Sequence, residues 1–104
     1  MTSTVKELKP DEKELKGSWV KVDNKIVGDA VCKRIEYITE NFLFKLGYSQ
    51  YGAWETLYQD PKDRRYWEKV YPHGEMHGGG PPSLLNLSEK QAREKYPDLF
   101  KKNP

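Results

Sequence analysis

Two stretches rich in aromatic and β-branched residues, "AWETLYQ" and "YWEKVYP", flank the charged segment "DPKDRR" near the middle of the chain. Asp60-Pro61 and the charges that follow favour a turn, and the flanking residues favour strands. The pattern predicts an antiparallel hairpin, and pairing of Gln59 with Tyr66 would set its register. One face would then carry Trp54, Tyr58, Trp67 and Tyr71, and the other Glu55, Leu57, Gln59, Tyr66, Glu68 and Val70.

The segment before this hairpin has helical spacing. Its apolar residues recur at steps of four, three, four and four, at Val31, Ile35, Ile38, Phe42 and Leu46. Such steps place them on one face of a helix. Asp29 is suited to the N-cap and Gly47 to the residue that ends a helix, so the sequence predicts one long helix between them.

Shorter elements complete the predicted fold. "SWVKV" and "KIVG" flank Asp23-Asn24, which predicts a second hairpin, and "SLLNL" predicts a further strand. Ser88 and Gln91 have the spacing of a capping box that opens a C-terminal helix, which Pro97 limits. We therefore predict an α+β fold, with a small mainly antiparallel sheet, one long helix packed on a face and a short C-terminal helix.

The size and composition indicate a single domain. The chain has 104 residues, and ten of its thirteen aromatic residues lie between Tyr37 and Tyr71, where a core can form. Residues 1–16 are charged and interrupted by Pro10. We expect residues 1–16 to form a flexible charged N-terminal segment and residues 17–104 to form the α+β domain.

The cysteine count and the charge narrow the choice of compartment and partner. Cys32 is the one cysteine, which excludes an internal disulfide, and neither a signal region nor a long apolar run is present. These features predict a cytoplasmic protein that does not span a membrane. The 18 Lys and Arg against 16 Asp and Glu are spread evenly, which argues against a nucleic-acid partner.

The segment "YPHGEMHGGGPPS" holds both histidines. His73 and His77 are four residues apart, but Pro72 and the glycines disfavour the helix in which that spacing would bind a metal. A small metal-dependent enzyme or metal-binding protein that uses His73, Glu75 and His77 remains the alternative. A phosphate loop is disfavoured because the glycines lead into prolines. We interpret the run as a shaped structural loop, Gly78, Gly79, Gly80, Pro81 and Pro82.

No other group of residues predicts catalysis or a cofactor. Cys32 lies within the predicted helix, which favours a structural thiol, and Glu55 and Glu68 on one strand face favour solvated carboxylates over an acid–base pair. Seven tyrosines and three tryptophans exceed what one small core needs. Since Tyr and Trp dominate binding hot spots, the sequence predicts a protein-binding domain and not an enzyme, with the aromatic face either in the core or exposed.

Four segments, "LKGSWV", "IVGDAVCKRIEYI", "WETLYQDPKDRRYWE" and "YPHGEMHGGGPPSL", together resemble the immunity protein 27 family of bacterial polymorphic toxin systems over roughly residues 15–96. The resemblance implies a cytosolic α+β protein that neutralises a cognate toxin domain encoded by an adjacent gene. It implies stoichiometric inhibition, by occluding or locking the toxin's active site. The residues expected to contact the toxin are Trp54, Glu55, Tyr58, Asp63, Tyr66, Trp67, Glu68, Tyr71, His73, Glu75 and His77.

Overall fold

The structure is a computed structural model that describes residues 8–49, 52–72 and 80–100, and of residues 52–54 the backbone alone. The strands, numbered β1 to β7 in chain order, are Glu14–Lys16, Trp19–Val22, Lys25–Gly28, Phe44–Ser49, Gly52–Gln59, Tyr66–Val70 and Ser83–Leu87. The helices are α1, Ala30–Asn41, and α2, Glu89–Lys95, and a 3₁₀ helix follows at Pro97–Phe100. No helix in these described ranges is both long and apolar enough to cross a membrane.

Five of the strands form one antiparallel sheet in the order β1-β7-β6-β5-β4. Its central pair is the predicted aromatic hairpin, and the predicted pairing of Gln59 with Tyr66 is confirmed. Strands β2 and β3 form a separate two-stranded sheet. Asp23 and Asn24 connect them with φ angles of 51° and 65°, the left-handed backbone that a tight hairpin turn requires. The α+β fold is confirmed.

Helix α1 covers one face of the five-stranded sheet. It begins at Asp29, whose carboxylate accepts a 2.9 Å hydrogen bond from the backbone N–H of Cys32, so the predicted N-cap is confirmed. The core beneath α1 joins residues of the helix to four strands and the segment after the helix: Leu15, Ile35, Ile38, Leu43, Tyr58, Trp67 and Leu84.

Helix α2 and the 3₁₀ helix cover the opposite face. Ser88 and Gln91 form both hydrogen bonds of the predicted capping box at the start of α2. A second core lies beneath these helices, and its members are Leu57, Ala92 and Tyr96, with Leu46, Tyr66, Leu87 and Phe100 packed against them. The five-stranded sheet is therefore covered by helices on both faces, with the long helix on one and the short helix on the other.

The predicted extension of the long helix to Gly47 is wrong. Helix α1 ends at Asn41, and Phe44 already pairs with Gln59 as the start of β4. The apolar spacing continues through Leu46, but the backbone of 44–49 forms hydrogen bonds with the edge of β5 instead of continuing the helix. Strand pairing with the segment that follows has overridden the helical periodicity here.

The boundary predicted at residue 16 is also wrong for the residues just before it. Glu14–Lys16 form the edge strand β1, and Leu15 is buried in the core under α1. Two hydrogen bonds of 2.7 and 2.8 Å connect Glu12 to the guanidinium group of Arg34 on α1. Residues 1–7 lie outside the described residues. The last part of the predicted flexible segment thus belongs to the folded domain.

Candidate partner-binding surface

The aromatic face of the central hairpin lies in the core. Tyr58 and Trp67 are opposite each other on β5 and β6, and their side chains are 5% and 0% exposed beneath α1. In this conformation both side chains belong to the core, and their predicted role in binding stays a prediction. The side chain of Trp54, on the same face, lies outside the described residues.

The opposite face of the hairpin holds a buried ionic cluster. The Tyr96 hydroxyl donates a 2.7 Å hydrogen bond to Glu68, and the Lys95 ammonium lies 2.7 Å from the same carboxylate. Lys95 also donates a 2.9 Å hydrogen bond to Glu55. Glu68 is 3% exposed, and its predicted contact with a partner stays a prediction. Glu68 and Glu55 hold α2 against the sheet.

The cluster holds its members in fixed protonation states. Burial alone would raise the pKa of Glu55, but hydrogen bonds from Lys95 and Ser49 outweigh it and lower that pKa. Burial would lower the pKa of Lys95, and its bonds to Glu68 and Glu55 raise it instead. Burial, then the hydrogen bond to Glu68, raises the pKa of Tyr96 far above its usual range. At neutral pH the cluster is charged on Lys95 and Glu55 and neutral on Tyr96.

Asp63 and Tyr66 contribute to the end of the hairpin that carries its turn. Asp63 accepts a 2.7 Å hydrogen bond from Arg65, whose guanidinium also donates to the backbone carbonyls of Lys9 and Glu12. Tyr66 is half-buried and packs edge-to-face on Phe100, with ring centroids 5.5 Å apart. Both residues therefore have structural contacts, and their predicted role in binding stays a prediction.

The flanks of the glycine-rich loop lie at the other end of the sheet. His73, Glu75, His77, Gly78 and Gly79 lie outside the described residues. Beyond them, Gly80 has a φ angle of 75°, a conformation that glycine adopts without strain. Pro81 and Pro82 are buried, and the carbonyl of Pro82 accepts a 2.9 Å hydrogen bond from Gly17. The described exit of the loop is thus fixed to the base of the β2–β3 hairpin.

Two surface cavities lie beside this loop, on opposite faces of the sheet. One, of about 320 Å³, lies between α1 and β6 and is lined by Trp19, Lys33, Glu36, Lys69 and Tyr71 together with Gly80 and Pro82. The ammonium of Lys69 lies 5.8 Å from the centre of the Tyr71 ring. Such a mixture of charged and aromatic side chains suits a polar side chain of another protein.

The second cavity, of about 480 Å³, borders β1 and β7. Its lining includes Lys16, Ser18, Pro72, Pro81 and Leu85. The two prolines are the described residues next to the two ends of the loop. The loop thus leaves and rejoins the sheet between two concave surfaces, and we name this region, with the β2–β3 hairpin beside it, the loop end.

The β2–β3 hairpin is the part of the loop end that the sequence reasoning missed as a surface. Val20, Val22, Ile26 and Val27 are all exposed, and Ile26 has 70% of its surface accessible. A signal was present, because four aliphatic residues in a ten-residue hairpin cannot all be buried by two strands alone. Exposed apolar side chains grouped on one element are typical of protein interfaces.

The sequence of the chain matches a known family over most of this architecture. The family model described as Immunity protein 27 matches residues 21–88, which is more than half of the chain. The chain belongs to the immunity protein 27 family. No curated protein and no solved structure matches it. The resemblance inferred from the four sequence segments is confirmed.

The part that matches the immunity protein 27 family runs from β2 to the N-cap of α2. It includes most of the hairpin, helix α1, the whole central pair of strands and the loop between β6 and β7. Lys95 and Tyr96 lie beyond it, so the ionic cluster joins a matched strand residue, Glu68, to partners outside the matched range.

The described residues of this immunity protein 27 member hold no candidate metal site. Within residues 8–49, 52–72 and 80–100, no three His, Cys, Asp or Glu side chains are grouped as metal ligands. The alternative site of His73, Glu75 and His77 lies outside those ranges. Cys32 is buried, its thiol lies 3.5 Å from the carbonyl of Ser18, and burial raises its pKa. It is the structural thiol that the sequence predicts.

Proposed function

We propose that this chain neutralises a cognate toxin domain by binding it stoichiometrically, without catalysis. Its membership of the immunity protein 27 family supports a toxin as the partner. The toxin gene would lie next to the gene of this chain in a polymorphic toxin system, and the complex would form in the cytoplasm. Binding would either occlude the toxin's active site or lock the toxin in an inactive conformation.

Our placement of the interface rests on how the helices cover the five-stranded sheet. Helix α1 packs on one face, and α2 with the 3₁₀ helix packs on part of the other, so these parts of the described sheet are covered. The loop end instead presents Tyr71, Pro72 and Lys69 beside two cavities and exposed aliphatic side chains. We place the centre of the interface there.

Some of the residues expected to contact the toxin remain in this proposal. The structure either leaves them accessible or does not describe them. Tyr71 is half-buried on the rim of the smaller cavity. His73, Glu75 and His77 would extend the same surface from the loop. Glu75 would contribute a carboxylate that helps to select one orientation of the partner.

The required affinity sets the size of the interface. A protective complex must outlast exposure to the toxin, so a dissociation constant near 1 nM, or about −12 kcal/mol, is needed. Stable complexes of this kind bury on the order of 800 Å² on each partner. The flanks of one loop are smaller than that, so the hairpin or the rims of both cavities must take part.

The experiment is a titration of this chain into the purified toxin domain encoded next to its gene. Calorimetry should give one chain per toxin and nanomolar affinity, and toxin activity should fall linearly to zero at equivalence. Tyr71→Ala and Glu75→Lys should each weaken binding about tenfold or more. Phe44→Asp is the matched control, because Phe44 is 67% exposed on β4 and lies outside the proposed surface.

Two results would contradict the proposal. Full loss of toxin activity at a small fraction of equivalence would indicate that the chain acts as an enzyme on the toxin or its product. Zinc bound in equal amount to the purified chain, and lost in His77→Ala, would instead favour the metal-dependent alternative.

A further inference from the structure

The β2–β3 hairpin has two chemically different faces. Val20 is directly opposite Val27, and Val22 is opposite Lys25, so these four residues lie on one face. All four are exposed, and the accessible fraction is 40% for Val20, 51% for Val22 and 36% for Val27. We call Val20, Val22, Lys25 and Val27 the valine face. None of the helices or strands in the described ranges covers it.

The other face of the hairpin is held against the domain at its base. Trp19 is opposite Gly28, and a Cβ atom added to Gly28 would lie 2.8 Å from the Cβ of Cys32 on α1. That distance is shorter than a van der Waals contact, so the backbone of β3 lies directly on the helix. Since this face turns toward α1, the valine face turns away from it.

The valine face adjoins the larger cavity of the loop end. Ser18, which lines that cavity, is the residue just before β2. Pro72 and Pro81 give the cavity apolar walls, and Lys16 is exposed on its rim, 3.4 Å from the carboxylate of Glu14, which lines the same cavity. The apolar surface of the hairpin thus leads toward a concave surface whose edge carries an ion pair.

We propose that the valine face is the surface by which this chain binds its toxin. This face would enter an apolar groove of the toxin that has carboxylates along its edge. The inference rests on the proposed function and adds to it a surface and the chemistry of the partner. The valines would bury aliphatic area, and Lys25 would meet a carboxylate at the edge of the groove.

The charge of the valine face favours a different protein over a second copy of this chain. In a symmetric dimer each patch meets an identical patch. The one charged residue of the valine face is Lys25. Self-association would bring two lysines to one apolar interface whose patches carry no opposite charge, whereas an acidic groove would pair with Lys25.

The test compares a position on the valine face with one outside the loop end. Val22→Asp places a carboxylate on the valine face, and Phe44→Asp places one on β4, where Phe44 is more exposed than Val22. Calorimetry with the purified toxin domain should show binding about thirtyfold weaker or more for Val22→Asp. Phe44→Asp should bind within about threefold of the unmodified chain. Lys25→Glu should weaken binding about tenfold or more, most strongly at low salt.

The outcomes separate this inference from the proposed function. If the unmodified chain does not bind the toxin, both fail. If the unmodified chain binds and Val22→Asp binds equally well, the proposed function stands and the valine face is excluded as the binding surface. A dimer of the chain at micromolar concentration, dissolved by Val22→Asp, would overturn the choice of partner. If Val22→Asp does not fold, judged by circular dichroism, Val22→Thr with Val27→Thr replaces it, and unchanged binding would again exclude the valine face.

Discussion

The five-stranded sheet and the β2–β3 hairpin use the same kinds of apolar residue, yet their environments are opposite. Trp67, at the centre of the sheet, is 0% exposed, while Ile26 in the hairpin is 70% exposed. The sheet has a helix on each face, whereas among the described residues the hairpin contacts the rest of the domain near Trp19 and Gly28. Burial in the five-stranded sheet therefore supplies most of the free energy of folding. The exposed side chains of the β2–β3 hairpin remain available for contact with a partner.

Polar groups separate the two regions in the same way. In the sheet, the buried carboxylate of Glu68 has both a tyrosine hydroxyl and an ammonium group as partners, as a buried charge requires. In the hairpin, Lys21, Asp23 and Lys25 are exposed to solvent. Substitutions should therefore be costly in the sheet and nearly neutral in the hairpin.

The largest expected effect is that of Trp67→Ala. Removing a fully buried tryptophan leaves a cavity between α1 and the sheet, and the free energy of unfolding should fall by about 3–5 kcal/mol. Ile26→Ala, the matched change in the hairpin, should alter it by no more than about 0.5 kcal/mol. Urea denaturation of both variants would measure the difference. Similar losses in the two would show that the hairpin belongs to the same cooperative core.

Lys95→Met should have the next largest effect. It leaves Glu68 buried without its cationic partner, which costs about 3 kcal/mol, near the low end for buried pairs because Lys95 is about one-third exposed. Lys21→Met in the hairpin should be neutral. Chemical denaturation of the single and double variants with Glu68→Gln would measure the coupling. Additive losses in the double variant would argue against a direct pair.

Asp29→Ala tests the connection between the β2–β3 hairpin and helix α1. Asp29 caps α1 with its carboxylate, and its backbone N–H donates to the carbonyl of Ser18 beside β2. Losing the side-chain cap should lower stability by about 1 kcal/mol, whereas Asp29→Asn should retain most of it. Thermal unfolding followed by circular dichroism would compare them. An equal loss in both variants would mean that the charge, and not the hydrogen bond, matters.

The smallest effect expected is the pH dependence due to Glu55. Its pKa lies below the ordinary value of 4.5, so its stabilising effect is present above that pH and disappears as the pH falls through the native value. Glu55→Gln should lower stability at pH 7 by less than about 1 kcal/mol, because the pair is partly exposed. That difference should shrink in urea titrations as the pH falls below 4.5, through the lowered native pKa of Glu55. A difference that widens in acid would reverse the sign of the inferred shift.

Much of the fold follows from local patterns in the sequence. The turn at Asp23-Asn24, the cap at Asp29 and the capping box at Ser88 are encoded within a few residues, and all three are confirmed. The register of β5 with β6 also follows, because the charged turn fixes which residues face each other. Local chemistry was sufficient for these elements.

Most of the errors concern contacts between distant segments. Strand β1 pairs with β7, far along the chain, so it is not visible in a short window of sequence. Strand β4 pairs with the next strand, β5, but its apolar residues continue the helical spacing of α1, and that local signal is misleading. Glu68 looks like a solvated strand residue until Tyr96, 28 positions later, is placed over it. Because the sequence does not show which face each helix covers, it predicts Tyr58, Trp67 and Glu68 as binding residues, although α1 covers the first two and Tyr96, after α2, covers the third.

The attachment of the β2–β3 hairpin also has an evolutionary consequence. Its base is constrained, because Gly17 donates to Pro82 and a side chain on Gly28 would collide with Cys32. At its far end, Val22 and Lys25 have no such constraint in the contacts described, although Asp23 and Asn24 must keep a positive φ. Mutations there can accumulate without unfolding the domain. A lineage could therefore follow a changing partner by altering a few tip residues while it inherits the rest of the molecule unchanged.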